Sequence, residues 1–290
     1  MLGASLLFAT MGVCVKLASE HYGSGEIVMY RGLVGMVFIV TLVRLRGGSL
    51  RTEVPAMHFW RSIVGVISLM LWFYAIGRLP LATAMTMNYM SSVWMALFLI
   101  GGSVVAGGAR VDGRLVAAVL VGFVGVALVL RPTAGQEQLW HGLAGLMSGV
   151  LAALADLEVT SRGRAGEPDY RIVFYFSIGG MLAGGGSMLW HGVTPHSPSG
   201  VALLLAIGVL ATAAQLMMTR AYAIGSTLSN ATLQYTGIVF AFGYGAWLFG
   251  EDITGSAVLG VALIAGAGVV ATALRQQHAV VLTPTDSNRQ

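Results

Sequence analysis

Two amide–tyrosine pairs, Asn88-Tyr89 and Gln234-Tyr235, are the groups in this chain most suited to holding a solute. Each lies inside a long apolar stretch, where an amide is costly unless it meets a partner. Such groups can line a wet cavity and bind a small molecule through hydrogen bonds and ring contacts, with no fixed charge. Trp72, Tyr74, Trp94 and Gln215 extend the set of candidate cavity residues. Charge within the apolar stretches is scarce, and a charge in hydrocarbon costs at least about 2.5 kcal/mol. Lys16, about one turn before the end of the first stretch, has two readings. Its stem snorkels to the headgroups, or its ammonium faces the cavity and holds a substrate carboxylate.

Asp156 and Glu158 stand near the end of the sixth stretch. Residues two apart on a helix point about 200° apart, so the two cannot share one site. Interfacial solvation beside Arg162 or Arg164 is one reading; a proton-coupling carboxylate is the other, with the deeper Asp156 the better candidate. Arg31 reads as architectural, loosely paired with Glu26 at the surface, and Glu251 and Asp252 read as boundary charges. The six histidines are spread over segment ends and suggest no metal set. Neither a nucleophile–base pair nor a nucleotide-binding glycine loop is visible, so no enzymatic activity, cofactor or ATP-driven step is expected. The net charge of +4 is dispersed rather than gathered in a basic stripe, which argues against nucleic acid as a partner.

The elements that must position these residues follow from composition. Hydrophobic residues make up 56% and charged residues 10%, too little charge for a soluble surface of this size. A hydrocarbon core of about 30 Å calls for roughly 20 residues of helix. Stretches near that length recur at 1–18, 26–45, 59–78, 82–106, 112–131, 139–160, 171–190, 200–222, 228–249 and 255–275. The single cysteine, Cys14, lies in the first, so no internal disulfide is expected. The expected fold is an all-α polytopic membrane protein of ten transmembrane helices, with the lipid bilayer as its surroundings and a small molecule as its partner.

With the N-terminus cytoplasmic, the inside segments hold Arg44, Arg46, Arg51, Arg61, Arg110, Arg114, Arg162, Arg164, Arg171, Arg220, Arg275 and Arg289. The outside segments hold Lys16, Arg31, Arg78 and Arg131. That split of twelve against four predicts both termini inside. The longest polar connections, at 47–57, 132–138, 161–170 and 191–199, are too short to house a catalytic domain. Pro80 is expected as the first helical residue of the fourth span.

Tyr-Ala-Ile-Gly occurs twice, at Tyr74 to Gly77 and at Tyr222 to Gly225. Farther on, Met85 to Trp94 lies over Ala231 to Phe240 with residue classes matched at most positions, once the second copy loses two residues. Order and spacing together predict a duplication. Two halves of five spans, an odd number, enter the membrane with opposite polarity, which gives two inverted five-helix repeats with a substrate site near the midplane. The expected domains are residues 1–131, residues 132–275 and a disordered cytoplasmic tail at 276–290.

With ten spans in two fives, Lys16 near the end of the first, Arg31 early in the second, Pro80-Leu81-Ala82 opening the fourth and Gly250-Glu251 closing the ninth, the chain resembles the EamA-like branch of the drug/metabolite transporter superfamily over nearly its full length. The resemblance implies a carrier of the bacterial inner membrane with a cavity lined by spans one, three, four, six, eight and nine. It further implies export of an amino acid or similar metabolite, with uptake as the alternative direction; protons are a candidate coupling ion through Asp156 or Glu158 rather than through the resemblance. The first half has no counterpart of Gly250-Glu251, and Asp156 and Glu158 depart from the family's apolar or neutral sixth span.

Overall fold

The computed structural model describes residues 1–91, 93–95, 97–98, 113–130, 136–163, 168–224, 230 and 233–281. Among these residues the fold is all helical, with ten helices and no strand. They are α1 (Leu2–Ala18), α2 (Ser24–Arg46), α3 (Pro55–Arg78), α4 (Leu81–Tyr89), α5 (Gly113–Leu130), α6 (Gln136–Gly163), α7 (Asp169–His191), α8 (Pro198–Ile224), α9 (Thr236–Phe249) and α10 (Gly255–Val281). Five of them are long and apolar enough to cross a membrane: α2, α3, α7, α8 and α10. The apolar parts of α1, α5, α6 and α9 are 10–17 residues long. The expected fourth span, 82–106, is described as α4 followed by scattered helical residues, with 99–112 outside the described residues; of the expected disordered tail, 276–290, residues 276–281 continue α10 as helix and 282–290 lie outside the described residues.

Local chemistry sets several helix ends. Pro55 opens α3 in its first turn, where a missing N–H leaves no helical bond unmade. Pro80 departs from its expected role. At ψ 139° its backbone is extended, so it precedes α4 as the capping residue and the helix starts at Leu81. At the end of α9, Gly250 takes φ 59°, the left-handed region that favours glycine, and the chain turns back so that the Glu251 N–H donates to the Gly245 carbonyl.

Helix pairing follows a rule. The broadest contacts are α2 with α7, α5 with α10, α3 with α6 and α1 with α8; next come α2 with α8, α1 with α9, α3 with α7, α4 with α6 and α4 with α9. Advancing each number by five, and returning to α1 after α10, turns this set into itself. The α2–α7, α5–α10 and α4–α9 pairs map onto themselves. The α2–α7 pair is antiparallel, since Gly25 faces Ser187 and Gly184 while Gly32 faces Met181 and Ser177. So is α5–α10, where Gly122 faces Ala267 and Gly125 faces Ile264 and Gly260. Gly32 has to be glycine at this approach, because a Cβ there would lie 2.5 Å from the Met181 nitrogen and the Ser177 carbonyl oxygen.

The largest apolar cluster joins α1, α2, α3, α4, α8 and α9, with Phe176 of α7, around Met11, Phe73, Ile76, Met85, Ile207 and Ile238. A second joins α4, α5 and α10 around Met87, Met90, Val126 and Ile264. Of the candidate cavity residues, Trp72, Tyr89 and Tyr235 belong to the first cluster and Trp94 packs against the second.

Candidate functional site

Helices α1 and α9 run parallel and are tied by polar contacts along their length. Near the start of α1, the Ser5 hydroxyl donates to the carbonyls of Leu233 and Gln234 at 3.3 and 3.4 Å. At mid-length, the Thr10 and Tyr244 hydroxyls meet at 3.0 Å. Near the end of α1, Lys16 Nζ donates to Glu251 Oε1 at 2.6 Å and to the Leu79 carbonyl at 2.8 Å, and lies 5.1 Å from the Phe249 ring centroid. Both Glu251 oxygens accept the Leu81 N–H at 3.0 Å. This carboxylate therefore neutralises Lys16 and caps α4, where a helix N-terminus favours negative charge. One cluster thus joins α1, the turn between α3 and α4, and the end of α9. Lys16 does hold a carboxylate, but it is the chain's own.

At the opposite end, the Tyr222 hydroxyl donates to Gln234 Oε1 at 2.8 Å. Between the two ends, Tyr89 and Tyr235 pack edge to face with ring centroids 6.5 Å apart, and the Tyr235 hydroxyl donates to the Tyr89 carbonyl at 3.5 Å. These two tyrosines are the residues that the sequence repeat lays over one another. Tyr89 fits because residue 237 is glycine: a Cβ there would lie 2.8 Å from the Tyr89 hydroxyl. That hydroxyl is buried and has no hydrogen-bond partner among the described residues.

A second seam joins α4 to α6. Asn88 Nδ2 donates to Ser148 Oγ at 3.2 Å, and Ser68 Oγ donates to the Ser148 carbonyl at 2.7 Å. Asn88 thus meets a serine of α6 through its side-chain amide, whereas its repeat counterpart Gln234 meets Ser5 of α1 through its backbone carbonyl. Tyr74 does not repeat the behaviour of Tyr222. It is exposed, hydrogen-bonds His141 Nδ1 at 3.0 Å and lines an open cleft of about 360 Å³ with Tyr22, Glu20 and Arg78. The structure therefore joins aromatic to amide in Tyr222–Gln234 and keeps Tyr74 apart from Asn88. Trp72 is buried beside Phe73, and Trp94 packs edge-on to Phe123 at 5.0 Å. Both indole N–H groups lack a partner among the described residues.

Arg31 is not at a surface with Glu26. Its side chain is buried and donates from Nη2 to Gln215 Oε1 at 2.9 Å, while Glu26 faces His196 at 3.4 Å. Arg61, counted by sequence among the basic residues of the inside segments, is also buried. Both guanidiniums lie against one ring, 5.2 and 5.0 Å from the centroid of Phe176. Asp156 and Glu158 lie on α6, but their side chains fall outside those described. Sequence reasoning missed the roles of Ser5, Ser148, Arg61 and Glu251. Only Glu251 carried a signal, since Gly250-Glu251 stood out as a pattern with no assigned partner.

The family model for the EamA-like transporter family matches residues 1–131. A pseudopaline exporter, CntI, of Pseudomonas aeruginosa strain UCBPP-PA14 is 33% identical over 250 residues, covering 86% of each chain. An uncharacterized transporter of Helicobacter pylori strain J99 is 24% identical over 276 residues, covering 92% of this chain and 91% of that one. A riboflavin transporter of Rhizobium johnstonii is 26% identical over 196 residues, covering 65% of this chain and 62% of its own. A protein crystal structure superposes with a TM-score of 0.68 at 20% identity, covering 95% of this chain and 97% of that one, which supports the fold alone.

Proposed function

Because this chain belongs to the EamA-like transporter family, we propose that it exports a small organic metabolite across the bacterial cytoplasmic membrane by alternating access between two inverted five-helix halves, residues 1–131 and 132–275. The observation that carries the reading is the α1–α9 seam, held at one end by Lys16 and Glu251 and at the other by Ser5 with the carbonyls of Leu233 and Gln234. A carrier that never opens to both sides at once needs a separable closure at each end of a shared pathway. These two clusters are small, polar and spaced by the length of a helix.

Helix pairing supports the inverted arrangement. Two equivalent helices packed antiparallel about a common contact are related by an axis perpendicular to them, and both α2–α7 and α5–α10 pack in that way. For helices that cross the bilayer, such an axis lies in the membrane plane. The basic-residue split supports both termini on the cytoplasmic side. Export is favoured because the similar pseudopaline exporter matches over most of both chains. Tyr89, Tyr235, Asn88, Gln234, Trp72, Trp94 and Gln215 are the proposed walls, with Lys16 held in the closure and Tyr74 at the mouth. Asp156, and after it Glu158, are the proposed proton-coupling groups; Asp156→Asn should abolish dependence on a pH gradient while solute exchange continues, and unchanged gradient-driven flux would remove Asp156 from the role.

The test is counterflow by purified protein in proteoliposomes against a metabolite panel that includes amino acids, riboflavin and pseudopaline. Saturable flux of one class supports a carrier. Flux that rises linearly with concentration would indicate a channel, and chemical conversion of a panel member would indicate an enzyme.

A further inference from the structure

Helices α2 and α7 each hold down the loop that follows the other. In α2, Glu26 is 5% exposed and its Oε1 faces His196 Nε2 at 3.4 Å, while the Tyr30 ring meets the His196 ring edge-on at 5.2 Å. His196 belongs to the connection between α7 and α8. In α7, Arg171 Nε donates to the Ser49 carbonyl at 2.9 Å, and the Tyr175 hydroxyl donates to the Leu50 carbonyl at 3.0 Å. Ser49 and Leu50 belong to the connection between α2 and α3.

The gripping residues occupy the same places in two 23-residue helices. Glu26 and Arg171 are third in their helices, and Tyr30 and Tyr175 are seventh. This is the register of the α2–α7 contact itself. Gly32 and Ser177, both ninth, face each other, and the approach of Gly35 to Ser177 is matched by that of Gly180 to Gly32. The chemistry has diverged while the places have not: one grip is an ion pair with a ring contact, the other a pair of hydrogen bonds to backbone carbonyls.

Each grip also runs from one proposed half of the carrier to the other. Glu26 and Tyr30 lie in residues 1–131 and hold a loop of residues 132–275; Arg171 and Tyr175 lie in the second half and hold a loop of the first. The two grips stand at opposite ends of α2, a helix about 34 Å long at 1.5 Å per residue. When two bodies rock about a shared contact, their ends part in turn. A tie that spans the bodies at one end must therefore break before that end opens.

We propose that these ties are the latches of the transport cycle: Glu26 and Tyr30 on His196 hold the bundle shut at the end near Ala18, and Arg171 and Tyr175 on Ser49 and Leu50 hold it shut at the end near Leu2. This rests on the carrier reading above and adds to that reaction residues away from the proposed walls. They act by setting the populations of the two open states, without touching the solute.

The test uses the full chain in detergent, in a Cys14→Ser background with one reporter cysteine at a buried alanine of α1. Ala18→Cys reports one end and Ala4→Cys the other, each timed by its reaction with N-ethylmaleimide. Glu26→Gln should make Ala18→Cys react severalfold faster and Ala4→Cys more slowly, and Tyr175→Phe should do the reverse. His196→Gln changes a loop residue instead of a helix residue; it should reproduce Glu26→Gln, and it serves if that variant fails to fold. Combining Glu26→Gln with Tyr175→Phe should bring the ratio of the two rates back toward that of the parent, which damage to packing would not do. Faster reaction at both ends in either variant, an unchanged ratio, or shifts of the same sign from both variants would each overturn the latches. Counterflow separates this outcome from the carrier reading. Saturable flux in the parent without opposite shifts keeps the carrier and removes the latches, whereas opposite shifts without saturable flux for any solute keep the latches and remove the carrier.

Discussion

Lys16 Nζ and Glu251 Oε1, 235 residues apart in the chain, meet at 2.6 Å, and the same carboxylate caps the first turn of α4. Removing either partner leaves the other charge partly buried and alone. Lys16→Met and Glu251→Gln should each cost about 2–3 kcal/mol, less than a fully buried pair would because both side chains keep some exposure. The double variant Lys16→Met/Glu251→Leu should recover a good part of the loss. Thermal melts of the four proteins check this, and strictly additive losses would show that the pair is not coupled.

Tyr89 offers a stability prediction of the opposite sign. Its hydroxyl is buried without a partner among the described residues, and an unsatisfied polar group of this kind is costly. Tyr89→Phe keeps the ring contact with Tyr235 and should raise stability by about 1 kcal/mol. If the hydroxyl serves the solute, counterflow should fall severalfold in the same variant. A stabilised variant with unchanged flux would make Tyr89 a packing residue only.

Gln234 belongs to the closure near Leu2, and Asn88 to the seam between α4 and α6. Gln234→Ala breaks the bond from Tyr222, and Asn88→Ala breaks the bond to Ser148. The first should favour opening at the end of the bundle near Leu2, the second at the end near Ala18. With the basic-residue orientation these are an inward-open and an outward-open bias. Single cysteines near each end should report opposite changes in labelling rate. Shifts in one direction for both variants would mean that the repeated amides act only as packing.

Topology is tested at two exposed serines. In a Cys14→Ser background, Ser49→Cys should react only with reagents that reach the cytoplasm, and Ser197→Cys only with those outside. Ser49 lies between α2 and α3 and Ser197 just before α8, on opposite ends of the bundle. Labelling of Ser49→Cys from outside in intact cells would reverse the orientation.

Much of the helical content was legible because hydropathy is a local property. The ten expected stretches correspond in order to the ten described helices, and the Tyr-Ala-Ile-Gly repeat marks the corresponding ends of α3 and α8. Partnerships were not legible. Nothing near Lys16 in the chain announces Glu251, and the proximity of Glu26 to Arg31 suggested a pair that the fold does not make. Helix rotation decides such matters, and helices that are apolar all round leave no stripe from which to read it. The burial of Arg61 was not legible for a related reason: the charge count set it on the inner side, and only helix rotation turns its side chain onto Phe176.

The contact between Arg31 and Phe176 has a historical side. Each is the eighth residue of a 23-residue helix, and α2 and α7 are partners that map onto one another. If both halves descend from one five-helix ancestor that worked as a pair of identical subunits, this position once faced its own copy. Arginine in both subunits would set two guanidiniums against each other, and phenylalanine in both would leave no charge at all. Fusion of the two genes lifts that constraint, because each copy can then diverge on its own. A single chain can hold one cation and one ring at a place where a symmetric dimer must hold two of the same, so a return to separate identical subunits would cost this chain its Arg31–Phe176 contact.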